Sequence, residues 1–186
     1  MIYLYTTLRK KNLSDYQIKK LVKDGKLYMI KKGIYSDTKD YSYLELIAVK
    51  HPNAVFTLET AAYCYGLIKK NHVPYVVATK QKDRKIQDEN IKQIFVTDSL
   101  YKIGVSKITY HKYNILIYDL ERLLIDVVRN KVNMDYDTYH EIIDSYKKLS
   151  KLLNKNKLNS YIVNFKDSRI IDRINKEVFN YVMSFI

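Results

Sequence analysis

The sequence predicts an α+β fold, and three observations carry that expectation. Residues 13–35 combine a capped amphipathic helix with a short hairpin. Residues 54–118 hold several short runs rich in β-branched and aromatic side chains, and from Asp119 onward the apolar residues recur at helical spacing. Only two prolines and four glycines punctuate the 186 residues, which argues against a loop-rich all-β sandwich.

From the amino terminus, Tyr3 to Lys11 reads as a first helix with Leu4 and Leu8 turned inward. Ser14 can cap a second helix, residues 14–24, and Gln17 stands three residues on to complete a capping box. Ile18, Leu21 and Val22 share one face of that helix. The opposite face carries Tyr16, Lys20 and Lys23, with Lys19 and Gln17 at its margins. Gly25 stops the helix where a positive φ costs little. Leu27–Ile30 and Ile34–Tyr35 then read as two short strands around the basic turn Lys31-Lys32-Gly33. A helix of this kind running into a basic hairpin is the pattern of a winged helix-turn-helix, a module that mostly grips duplex DNA.

Ser36 to Asp40 is polar and reads as a linker. Tyr43–Lys50 is predicted helical, with His51-Pro52-Asn53 ending it. Ala54–Leu58 is a short apolar strand, followed by a helix from Glu59 to about Gly66. Tyr75–Thr79 is the clearest buried strand, and the charged connection Lys80–Lys85 follows it. Ile91–Val96, Lys107–Tyr110 and Asn114–Tyr118 are further strands. Leu120–Arg129, Tyr136–Leu149, Lys157–Phe165 and Arg169–Phe185 carry apolar stripes and are predicted helices. The expected organisation is a winged helix-turn-helix DNA-binding domain over residues 1–37. A mixed α/β body over 41–186 follows, helical from about residue 119.

The net charge of +13 points to a polyanionic partner, but lysine, asparagine, isoleucine and tyrosine are all abundant, as in proteins encoded by AT-rich DNA. Distribution separates the two causes. Residues 1–36 hold nine Lys/Arg against two Asp/Glu, whereas residues 119–186 hold twelve against ten. A basic excess focused on one short segment is the footprint of phosphate binding. Elsewhere the charge is read as solvated surface. Tyr16, Lys19, Lys20 and Lys23 are therefore expected to contact phosphates, and Lys31 and Lys32 to reach backbone or minor groove from the wing tip. Gln17 has two readings, an adenine edge or the capping box alone.

Signatures of catalysis are missing: there is no glycine-rich phosphate loop, nucleophile elbow or kinase motif. Nor is there a Gly-Ser followed by paired aspartates of the kind nucleotidyltransferases use. The four histidines are scattered without i, i+4 or cysteine partners, so neither a metal nor another cofactor is expected. Arg122 and Asp126 are i, i+4 on one predicted helix and are expected to form a structural ion pair. Cys64 sits among Ala61, Ala62 and Leu67 and reads as a core filler. No apolar run reaches the length of a membrane span, and Met1–Leu8 lacks the features of a secretory signal, so a cytoplasmic protein is expected.

Three blocks together resemble the AbiEi-type antitoxins, the transcriptional regulators of type IV toxin–antitoxin and abortive-infection operons. They are the winged-helix run ending in Lys-Lys-Gly33-Ile-Tyr35; Glu59-Thr-Ala-Ala-Tyr-Cys-Tyr-Gly66-Leu67; and Ile117-Tyr-Asp119-Leu-Glu121-Arg122-Leu-Leu-Ile-Asp126. The turn Tyr101-Lys-Ile-Gly104-Val also falls where that family places one. Leu123 stands where the family generally has threonine, and the segment before the second helix is short. The resemblance implies a repressor of its own operon that binds inverted repeats in the promoter as a monomer or weak dimer pairing on DNA. It also implies counteraction of a cognate nucleotidyltransferase toxin. A second reading is a protein-binding antitoxin with a vestigial DNA-binding head.

Overall fold

A computed structural model describes residues 1–167 and 169–179. The chain is α+β and packs as two compact units: residues 1–54 with 107–115, and residues 55–106 with 116–186.

The first unit opens with β1 (Ile2–Leu4), α1 (Tyr5–Lys10) and α2 (Asp15–Lys23), then β2 (Tyr28–Lys31), β3 (Ile34–Ser36) and α3 (Tyr43–Lys50). The three strands form an antiparallel sheet in the order β1-β3-β2, with Tyr3 opposite Tyr35 and Met29 opposite Tyr35 on the other side. Side chains alternate across a strand, and here both faces are covered. Ile2 and Leu4 of β1 pack with Ile34, Ile30 and the α3 residues Leu46 and Val49. Tyr3 and Tyr35 face the opposite way, onto Leu8 of α1 and Ile18, Leu21 and Val22 of α2.

The helix expected over Tyr3–Lys11 is therefore corrected at its start, because Ile2–Leu4 is a strand. A strand apolar on both faces reads as a continuous run, which periodicity cannot tell from a helix. Glu45 of α3 is buried, and its Oε1 accepts the backbone N–H of Ile2 at 2.7 Å, a contact that fastens β1. The polar stretch 36–40 links β3 to α3 within this unit. Thr38 N–H donates to Ser36 Oγ at 3.1 Å there, and the N-terminal ammonium pairs with Asp37.

The second unit holds β4 (Val55–Phe56), α4 (Leu58–Cys64), β5 (Tyr75–Lys80), β6 (Ile91–Val96) and α5 (Asp98–Tyr101). Next come β7 (Val105–Tyr110) and β8 (Tyr113–Tyr118), whose residues 107–115 belong to the first unit. The helices α6 (Leu120–Arg129), α7 (Tyr136–Leu149), α8 (Lys155–Ile162) and α9 (Arg169–Ile174) follow. Short 3-10 turns cover 131–133 and 163–165, and a π turn covers 175–179. The sheet order is β6-β5-β4-β8-β7, with β5 parallel to β6 and antiparallel to β4, and β4 parallel to β8. The strand expected over 54–58 shrinks to two residues, since Thr57 stands at the N-cap position of α4 and Leu58 is already its first residue. The helix α5 has no counterpart in the sequence reading. The helix expected over Arg169–Phe185 is present to Ile174 and continues as the π turn to Phe179; its remainder lies outside the described residues.

The helix α6 is the centre of this unit: every residue from Glu121 to Val128 is buried. Its N-cap is Asp119, whose Oδ1 accepts from Arg122 N–H at 2.9 Å, so Leu123 is free to be wholly buried in the core. Glu121 accepts from Asn154 N–H at 3.0 Å and from Lys157 Nζ at 3.1 Å. Burial pushes the Glu121 carboxyl up, but the Asn154 and Lys157 donors, with its own backbone N–H, together outweigh it and hold the group below the ordinary carboxylate range. A carboxylate depressed in the folded state adds stability above its unfolded value and loses it as pH falls through the folded one. Urea melts taken across the acid limb should therefore show stability falling with pH, and a flatter limb in Glu121→Gln.

Candidate nucleic-acid interface

The helix α2 starts where its sequence says it should. Gln17 N–H donates to Ser14 Oγ at 3.2 Å, and Ser14 N–H donates to Gln17 Oε1 at 2.7 Å, so the capping box is complete. Two orphan donors at the helix start are thereby satisfied. The first turn is steadied further by Asp15, which accepts from Tyr5 OH at 2.6 Å and from Arg9 at 3.4 Å. Its hydrogen bond to Asp15 holds the Tyr5 proton and raises that phenol's pKa. Arg9 also donates to Leu13 O at 3.1 Å, fixing the turn between α1 and α2.

Of the two readings of Gln17, the capping role is the one its side chain performs in this structure. Gln17→Ala is expected to lower stability by about 1 kcal/mol, typical of a lost cap contact, and to leave the ranking of base substitutions in a bound duplex unchanged. Chemical denaturation and a binding assay over single-base variants of one site check the two parts separately.

Tyr16 is 76% exposed, and Lys19, Lys20 and Lys23 are exposed beside it, while Ile18 on the inner face is buried. Lys31 and Lys32 are exposed at the end of the β2–β3 hairpin, where Gly33 takes φ +79° and its carbonyl accepts from Tyr5 N–H at 2.7 Å. That bond ties the hairpin end to the start of α1. Gly33 is required by its positive φ, which L side chains rarely adopt. Lys20 and Lys23 fall in the last turn of α2, where the helix dipole favours cations, so part of their placement has a local cause. Lys19, Lys31 and Lys32 have no such cause. None of these five lysines forms an ion pair among the described residues.

The acids of the first unit are few and mostly engaged. Thirteen Lys/Arg stand against five Asp/Glu; Asp15 is held by Arg9, Asp37 by the N-terminus and Glu45 by a backbone N–H. Their fields do little to cancel the exposed ammonium groups. Sequence reasoning overlooked Arg9 and Asp15 as the brace beneath α2, although their i, i+6 spacing around a turn offers no periodic signal.

The second unit gathers segments far apart in sequence around Arg122, which is almost wholly buried. Its Nε meets Asp126 Oδ1 at 3.1 Å, the ion pair expected from the i, i+4 spacing. Its Nη1 donates to the carbonyls of Leu100 and Ile103, and its guanidinium lies 4.1 Å from the Tyr118 ring centre and 4.8 Å from that of Phe165. Gly104 passes so close that a Cβ there would stand 2.4 Å from Arg122 Cβ. Burial raises the Asp126 carboxyl's pKa against the opposing pull of Arg122 and Thr57 Oγ1. Every charge in this cluster is matched by a neighbour, which is the arrangement of an anchor. Cys64 is half-buried, and burial pushes its thiol up to about 12, so it stays protonated and weakly nucleophilic at neutral pH.

Among the described residues no three His, Cys, Asp or Glu side chains are placed to hold a metal ion, and no helix is long and apolar enough to cross a membrane. In comparisons with known proteins, no family model and no curated protein matches the chain.

Proposed function

We propose that the chain is a DNA-binding regulator whose first unit works as a winged helix-turn-helix, with α2 as the recognition helix and the β2–β3 hairpin as the wing. The observation that carries this reading is the outward face of α2: Tyr16, Lys19, Lys20 and Lys23 all exposed on a fully capped helix, with Lys31 and Lys32 exposed on the hairpin of the same unit. The strand order β1-β3-β2, with both helices inserted between the first two strands, supports it. Lysines on such a surface grip phosphates and set register, while base choice falls to the few side chains reaching into the groove.

The particular regulator proposed is an AbiEi-type antitoxin, repressing its own operon and counteracting a nucleotidyltransferase toxin. Support for this narrower reading is that separate segments of the resemblance meet in space. Asp119 N–H donates to Gly104 O at 2.8 Å, and Tyr65 OH donates to Tyr118 O at 3.1 Å. A gel-shift titration on duplex from the chain's own upstream region tests the DNA-binding half. Affinity should fall steeply as salt rises, because each neutralised phosphate releases counterions. A flat salt response, or no shift at low salt, overturns it. The antitoxin half requires a nucleotidyltransferase toxin encoded beside the chain, and growth rescue on co-expression with that toxin tests it.

A further inference from the structure

The second unit contains a cleft of about 710 Å³ whose rim is basic. Arg129 at the end of α6, Lys131 in the following turn, His140 and Lys147 on α7, Arg173 on α9 and Lys176 beyond it all line it. Glu177 is the one carboxylate in the lining, and it is already taken by Lys131 Nζ at 3.0 Å and by the Tyr139 hydroxyl. Lys147 is matched by Asp144 at 2.8 Å. Arg129, Arg173 and Lys176 form no ion pair among the described residues. Like charges brought to one concavity repel, and an anionic occupant removes that cost.

Background composition does not explain the cleft. The chain has 27 lysines and six arginines, yet two of the six arginines are here. Arginine offers the planar fork that holds phosphate oxygens two at a time. Part of the wall is apolar, formed by Val128, Val132 and Ile143. The ring of His140 lies 4.2 Å from that of Tyr136, centre to centre and tilted 52° to it, so aromatic surface borders the cations. The volume falls within the range of small-molecule sites and is too confined for a duplex.

We propose that this cleft binds an oligophosphate group, free or carried on a nucleoside. The proposal is independent of the DNA-binding reading of the first unit.

The test is a fluorescence-anisotropy titration of the full chain with a fluorescent N-methylanthraniloyl derivative of ATP, using unlabelled ATP, tripolyphosphate and adenosine as competitors. Saturable binding is expected, displaced by tripolyphosphate. It should weaken about tenfold or more in Arg129→Gln/Arg173→Gln, consistent with losing charge-assisted hydrogen bonds. Lys176→Ala, a change at an exposed side chain, should weaken it in the same direction should the double variant fail to fold. Lys20→Ala/Lys23→Ala should leave it unchanged. If tripolyphosphate displaces the probe as well as ATP does, the phosphates suffice; if ATP is much the better competitor, the nucleoside contributes, and both results uphold the site. No saturable binding, displacement by adenosine but not tripolyphosphate, or loss in the α2 variant rather than the cleft variants overturns it.

Discussion

Replacing Lys19, Lys20 and Lys23 together by alanine should abolish detectable duplex binding at moderate salt while leaving the fold intact. Each phosphate contact contributes roughly 0.9 to the slope of log affinity against log salt. Loss of three contacts should therefore flatten that slope by about 2.7, measurable at low salt where residual binding survives. All three side chains are exposed and form no ion pair among the described residues, so their removal leaves no buried group unmatched. Alanine is also the best helix former, and α2 keeps its capping box. A variant that folds normally and binds with the parent's slope would remove α2 as the contact surface. Variants of Lys31 and Lys32 on the β2–β3 hairpin should act in the same direction with a smaller change of slope.

Arg122→Ala should cost about 3–5 kcal/mol, the range for breaking a buried ion pair from one side. The substitution leaves Asp126 buried without its cation, strips the carbonyls of Leu100 and Ile103 of a donor, and empties the space between Tyr118 and Phe165. Gly104→Ala should also destabilise, through its φ of +73° and the contact of 2.4 Å with Arg122 Cβ. The clashing atom is Cβ, which alanine at 122 retains. Combining Gly104→Ala with Arg122→Ala is therefore expected to bring no relief from that contact. Urea unfolding followed by circular dichroism gives all three values. A parent-like midpoint for Arg122→Ala would show that the cluster carries little stability.

What the residues settled alone is local. The capping box of Ser14 and Gln17 spans three positions, the Arg122–Asp126 pair spans four, and the long helices α6 and α7 have the bounds their apolar period predicts. Such features depend on contacts within one turn of backbone, which sequence order already fixes. The charge of the first segment was legible for the same reason, being contiguous in sequence. Tertiary structure alone decided that Ile2–Leu4 is a strand, because its second apolar face is covered by α3 some forty residues later. It alone brought Gly104 onto Arg122, and it alone assembled a basic cleft from residues 129 to 176 on separate helices. Those arrangements come from packing between elements, where burial of apolar surface chooses the neighbours and the polar groups follow.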